Sequence, residues 1–156
     1  MLSVRQAVPG DGPAYIELVR ALAEFEKLPG PTDEAAARLL DDAFGPAPRY
    51  TLTVADIDGA VVAYAVTFPT YSTFLARPTL FLEDIFVHPR ARRQGVATAM
   101  MGHLVEVARA GGYGRFEWMV LDWNTGAQFL YDGMGAERLD SWRLYRMVTA
   151  GAHPPG

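Results

Sequence analysis

The segment Thr79-Leu80-Phe81-Leu82-Glu83-Asp84-Ile85-Phe86-Val87 is an apolar run of strand-forming residues interrupted by two adjacent acids. A short apolar run of this kind reads as a strand buried on both faces, and so as a central strand of a sheet. It leads into a loop with three arginines, Arg90, Arg92 and Arg93. A helix follows over 95–110 that stops at Gly111-Gly112, then a strand over 115–121. Strand, crossover helix and strand make the unit that places parallel strands side by side. A chain built on it is α/β.

The first half reads differently. Residues 2–8 are a short strand. Gly10-Asp11-Gly12-Pro13 is a helix start, with Asp11 as a candidate cap and Ile16, Val19, Leu22 and Ala23 at helical spacing up to Leu28. Pro29-Gly30-Pro31 breaks the chain, and Thr32 caps a second helix with Asp33 and Glu34 in its first turn. Residues 50–56 and 60–68 pair as an antiparallel hairpin around Asp58-Gly59. A loop rich in Thr, Ser and Pro separates them from the strand at 79–87. After 115–121 come a helix over 124–133 and closing strands over 136–148. The expected architecture is one mixed α/β domain over residues 1–150, antiparallel in its first half, with a loose tail over 151–156.

Composition narrows the chemistry. There is no cysteine, so a thiolate metal site and a cysteine nucleophile are excluded. The formal charge is −4, from 18 acidic against 14 basic side chains, where a nucleic-acid binder carries a basic surplus. His88, His103 and His153 lack metal-ligand spacing, and no metal site is expected. Nothing resembles a signal peptide or a membrane span, which makes the cytoplasm the expected compartment.

The one basic cluster coincides with a helix start. In Val87-His88-Pro89-Arg90-Ala91-Arg92-Arg93-Gln94-Gly95-Val96-Ala97-Thr98, the helix N-terminus offers unpaired N–H groups and a positive dipole end. Gly95 and Ala97 allow close approach to the backbone, and arginine adds charge-assisted bonds to phosphate. A solvated basic loop ahead of an ordinary helix fits the same residues. The turn lacks the Gly-Lys-Ser/Thr ending of a P-loop and the three glycines of a dinucleotide fingerprint. Glu83 and Asp84 likewise read either as charges flanking a strand or as a site, because burying acids in an apolar run needs a reason.

Arg92-Arg93-Gln94-Gly95-Val96-Ala97 resembles the Arg/Gln-x-x-Gly-x-Gly/Ala turn of the GCN5-related N-acetyltransferases (GNAT). The likeness extends through Leu22-Ala23-Glu24-Phe25-Glu26-Lys27-Leu28, Leu82 to Val87, Val120-Leu121-Asp122-Trp123-Asn124, Tyr131, Gly135-Ala136 and Trp142. It is nearest to the branch of diamine (spermidine/spermine) and thialysine N-acetyltransferases. Ala97 stands for the usual second glycine, and Ser72 stands where the diamine enzymes tend to have an acid.

The resemblance implies a GNAT domain with splayed central strands, acetyl-CoA as co-substrate, a small-molecule amine as acceptor, and a homodimer. It implies that Arg92, Arg93, Gln94, Gly95, Val96, Ala97 and Thr98 hold the pyrophosphate, with Asn124 nearby. The backbone of Ile85, Phe86 and Val87 would meet the pantetheine arm. Glu83 would serve as a water-assisted base and Tyr131 as the acid, while Phe25, Glu26, Asp84 and Trp142 would bind the amine. An acetyltransferase acting on a protein or xenobiotic amine, a coenzyme-A-binding sensor without turnover, and a nucleotide-phosphate binder are the alternatives.

Overall fold

The computed structural model describes residues 1–151, in two compact units, Met1–Trp118 and Met119–Gly156, the latter described as far as Gly151. The expected loose tail lies, beyond Gly151, outside the described residues.

The first unit is a five-stranded sheet in the order β1-β2-β3-β4-β5, with β1 at Leu2–Gln6, β2 at Thr51–Ile57, β3 at Ala60–Ser72, β4 at Arg77–Val87 and β5 at Arg115–Trp118. Neighbours from β1 to β4 are antiparallel, and β4 with β5 is parallel. Between β2 and β3, Asp58 and Gly59 both take positive φ (51° and 86°), the backbone that an Asp-Gly hairpin turn requires.

Three helices accompany the sheet: α1 at Gly12–Phe25, α2 at Asp33–Phe44 and α3 at Val96–Ala110. Tyr15, Ile16 and Leu18 of α1 and Ala36 of α2 form one core with Leu52, Val54, Tyr64, Val66 and Phe86. Ala63 and Ala65 alternate with Tyr64 and are fully buried, so β3 is covered on both faces. The buried side of α3 is Val96, Met100, Met101, Leu104 and Ala108.

Three expectations change. Asp11 does not cap α1: its carboxylate accepts from Arg5 (2.7 and 3.1 Å) and from the Val8 N–H (2.8 Å), so it closes a single 3₁₀ turn before the helix. The loop expected between residues 68 and 79 is reduced to a turn over 73–76, because β3 and β4 continue pairing to Ser72–Arg77. Pro69 is tolerated there because β2 ends its pairing at Thr67, which leaves that side of β3 an edge where a missing N–H costs nothing. The expected closing strands over 136–148 are not formed, and β5 ends at Trp118 rather than 121. A strand needs a partner ladder as well as strand-forming residues, and among the described residues no ladder includes 136–148.

The second unit contains α4, Thr125–Gly133, which the Asn124 side chain caps by accepting from the Ala127 N–H (3.3 Å). Among the described residues no helix is long and apolar enough to cross a membrane.

Candidate active site

The site begins with a fault in the β3–β4 ladder. Val66 pairs with Asp84 and Thr67 with Leu82, so Glu83 has no partner opposite and forms a β-bulge. A bulge re-aims side chains and bends its strand. The pairing of β4 with β5 stops at Leu82–Trp118, one residue before the bulge. The expected splay of the central strands is therefore visible in the register, with Glu83 to Val87 beyond the end of the parallel ladder.

The two acids differ sharply in environment. Glu83 is exposed, whereas Asp84 is largely buried and its pKa is pushed up to about 6. Burial is the main cause, the negative charges of Glu83 and Glu26 add to it, and a hydrogen bond donated by Tyr64 opposes it (3.4 Å). Glu26, just past the end of α1, is also raised by burial. Burial, and next the charge of Asp84, holds the Tyr64 phenol well above its usual range.

A chain of phenols lies behind Tyr64. Its ring meets Tyr15 edge-on (5.2 Å between centroids), Tyr15 and Tyr50 share a hydrogen bond (2.9 Å), and Tyr50 donates to the Leu39 carbonyl (2.6 Å). Sequence reasoning missed these tyrosines. The available signal was Tyr64 in an otherwise apolar strand, since a buried phenol needs a polar partner.

From Val87 the chain passes through a 3₁₀ turn, Pro89–Ala91, into α3. His88 Nδ1 accepts from the Arg90 N–H (3.2 Å) and Gln94 Nε2 donates to the Arg90 carbonyl (3.3 Å), which shapes the loop from within. Arg93 and Gly95 both take left-handed backbone (φ 61° and 76°). Alternation of this sort turns successive N–H groups toward one side and makes an anion-binding concavity.

Gly95 is the N-cap of α3 and supplies no side-chain acceptor, unlike Thr32, which accepts from the Ala35 N–H (3.1 Å) at the start of α2. With Ala99 bonded back to Gly95, the first-turn N–H groups of Val96, Ala97 and Thr98 have no intrahelical acceptor. A hollow of ≈ 180 Å³ opens there, lined by Val87, Ala91, Arg92, Arg93, Gly95, Val96, Ala97 and Thr98. It falls below the roughly 300–1,000 Å³ of a pocket for a whole ligand, and suits one charged part of a larger molecule.

The structure thus collects Glu83 to Val87 and Arg92 to Thr98 along the end of β4 and the start of α3. It also joins Phe25 to that group: the Arg92 guanidinium lies over the Phe25 ring (5.2 Å) and the Phe86 ring (5.5 Å). Ser72 is occupied locally: its Oγ accepts from the Leu75 N–H of its own hairpin (3.2 Å) and from Arg115 of β5 (2.7 Å).

Asn124, Tyr131 and Trp142 belong to the second unit. Tyr131 lies on α4, with its phenol raised by burial, and Trp142 is 77% exposed. Asp140, the acid nearest Trp142 in sequence, pairs with Arg138 (2.8 Å).

The acetyltransferase (GNAT) family profile matches residues 16–136. The chain belongs to this family. It is 36% identical to the thialysine N-epsilon-acetyltransferase of Bos taurus, over 92% of this chain and 90% of that protein. It is 38% identical to an L-ornithine N5-acetyltransferase of Arabidopsis thaliana over a shorter stretch, 58% of this chain and 40% of that one. Among solved structures it resembles the aminoglycoside N-acetyltransferase AAC(6')-Iy in complex with CoA, with a TM-score of 0.79 at 22% identity, over 94% of this chain and 95% of that chain, a likeness of fold. The chain is accordingly an acetyl-CoA-dependent acetyltransferase.

Proposed function

We propose that this GNAT protein transfers the acetyl group of acetyl-CoA to a primary amine of a small molecule, a thialysine-like amino acid or a polyamine, by direct attack in a ternary complex. The observation that carries the reading is the hollow at the uncapped start of α3, at the end of the strand that bears Glu83 and Asp84. One side of that junction suits a pyrophosphate, and the acids suit an ammonium group.

The Val96, Ala97 and Thr98 N–H groups and the Arg93 side chain hold the pyrophosphate, while Gln94 braces the loop and Asn124 organises the start of α4. The backbone of Ile85, Phe86 and Val87, past the end of the β4–β5 ladder, meets the pantetheine amides, and one N–H polarises the thioester carbonyl. Glu26 and Asp84 attract the acceptor's positive charge and Phe25 offers it an aromatic face, while Trp142 is assigned to the amine by the family resemblance alone.

A water held by Glu83 relays a proton from the ammonium group to the Glu83 carboxylate. The freed nitrogen bonds to the acetyl carbon, the carbon–sulfur bond breaks, the departing sulfur takes a proton from the Tyr131 phenol, and the second proton shed by the amide nitrogen restores the phenol. A phenol kept protonated by burial supports that role. A second assignment of the base is favoured by the pKa of Asp84, about 6 and close to working pH, where general bases are most effective. The protein works as a cytoplasmic homodimer in this reading. Trp142, Leu144, Tyr145 and Met147, exposed by 67–92%, supply a self-association surface.

The test is acetyl-CoA-dependent thiol release against thialysine, lysine, ornithine, spermidine, spermine and putrescine, with Tyr131→Phe beside the unsubstituted protein. Turnover of an amino acid or polyamine, reduced about 100-fold or more in Tyr131→Phe, is the expected result. Acetyl-CoA binding with no turnover of any acceptor would point instead to a sensor or to a protein acceptor. Loss of base function in Glu83→Gln but not Asp84→Asn assigns the base to Glu83, and the converse assigns it to Asp84.

A further inference from the structure

Arg92 belongs by sequence to the phosphate turn, yet its guanidinium is engaged elsewhere. Its Nε donates to the Val87 carbonyl (3.2 Å), and its Cζ stands 5.2 Å from the Phe25 centroid and 5.5 Å from that of Phe86. The two rings are themselves in contact, 6.3 Å apart and tilted by 53°. One member of this stack is rigid, because Phe86 is 6% exposed and belongs to the core cluster opposite Tyr64. The other is peripheral: Phe25 is the last residue of α1 and is 40% exposed.

What Phe25 carries with it matters more than the ring. Glu26 follows directly, and beyond it Lys27 takes positive φ (58°) as the chain leaves the helix. The charge of Glu26 is felt by both Asp84 and Tyr64, so Glu26 belongs to the same electrostatic cluster as the buried acid. The position of Glu26 relative to Asp84 therefore depends on how the end of α1 is held to β4. The Arg92 guanidinium bridges that junction, and a cation near a helix C-terminus also complements the dipole.

We propose that Arg92 is a positioning residue for the amine: stacked on Phe25 and Phe86, it ties the end of α1, with Glu26, to the turn that receives the phosphates. This rests on the functional reading above, and it divides the two neighbouring arginines by task. Arg93, with its left-handed backbone, lines the hollow and serves the phosphates, while Arg92, also in the lining, acts through Phe25. Both a planar cation and an aromatic face are needed, so Arg92→Lys and Phe25→Leu should have the same signature.

The test uses the full chain with its best acceptor. KM for the amine, kcat, and the Kd for acetyl-CoA by calorimetry are measured for Arg92→Lys, Phe25→Leu and the double variant. Phe25→Leu should raise the amine KM about three- to tenfold with kcat and the acetyl-CoA Kd changed less than about twofold. Arg92→Lys should raise the amine KM by a similar factor, and the double variant should be no worse than the more affected single variant, as for two halves of one interaction.

An unchanged amine KM in Phe25→Leu, or independent multiplying effects in the double variant, overturns the proposal while leaving the acetyltransferase reading intact. A general loss in kcat and both affinities together marks a folding role and overturns it equally. Absence of turnover of any small amine by the unsubstituted protein overturns the functional reading, and this proposal with it.

Discussion

Asp84 is the residue whose environment has the most measurable consequence. Its carboxyl titrates near 6 in the folded protein, mainly because it is buried, against about 3.9 in an unfolded chain. Between those values the native state binds more protons than the unfolded one, so stability falls as pH rises through this window and the full penalty is present above about pH 6. The penalty is no more than about 3 kcal/mol, from two units at 1.36 kcal/mol each. Asp84→Asn should therefore raise stability above pH 6 and leave it nearly unchanged at pH 4, as chemical denaturation at the two pH values would show. The same variant should lose affinity for the amine. In the unsubstituted protein kcat/KM should decline on the acid side with an apparent pKa near 6, and persistence of that decline in Asp84→Asn would assign it to another group.

At the scale of the element, the turn into α3 depends on backbone conformation. Gly95 takes φ 76°, and a Cβ added there would meet no atom within 4 Å. Gly95→Ala thus meets no clash, and its cost is the left-handed backbone alone, roughly 1–2 kcal/mol. The expected outcome is a lower melting temperature with the fold retained, together with at least tenfold weaker acetyl-CoA binding by calorimetry, because relaxing that strain moves the Val96, Ala97 and Thr98 N–H groups. Unchanged binding would mean that these N–H groups are not the phosphate donors. Thr32 at α2 shows the contrasting arrangement, in which a hydroxyl satisfies the helix start and leaves nothing for a ligand.

For the molecule as a whole, the apolar stretch after α4 sets the expectation. Leu139, Trp142, Leu144, Tyr145, Met147 and Val148 are all substantially exposed, and among the described residues no ladder includes them. Light scattering on the eluting protein should give the mass of a dimer, and Trp142→Ser with Tyr145→Ser should shift it toward the monomer. A monomeric mass for the unsubstituted chain would remove the homodimer from the proposal. That stretch also marks the limit of sequence reading. Strand-forming residues over 136–148 pointed to strands, but pairing depends on a neighbouring backbone that local composition does not encode. By contrast the Asp58-Gly59 hairpin and the Thr32 cap were legible in the sequence, because each is a contact between residues a few positions apart. Glu83 and Asp84 were marked as unusual by their place in an apolar run, yet neither the bulge that separates their roles nor the burial that raises Asp84 could be read there. Those depend on which residues of β3 lie opposite β4 and on the approach of Tyr64 and Glu26. Arg92 shows the same division: its charge at a helix start was local information, whereas its rest between Phe25 and Phe86 required the end of α1 to be folded against the end of β4.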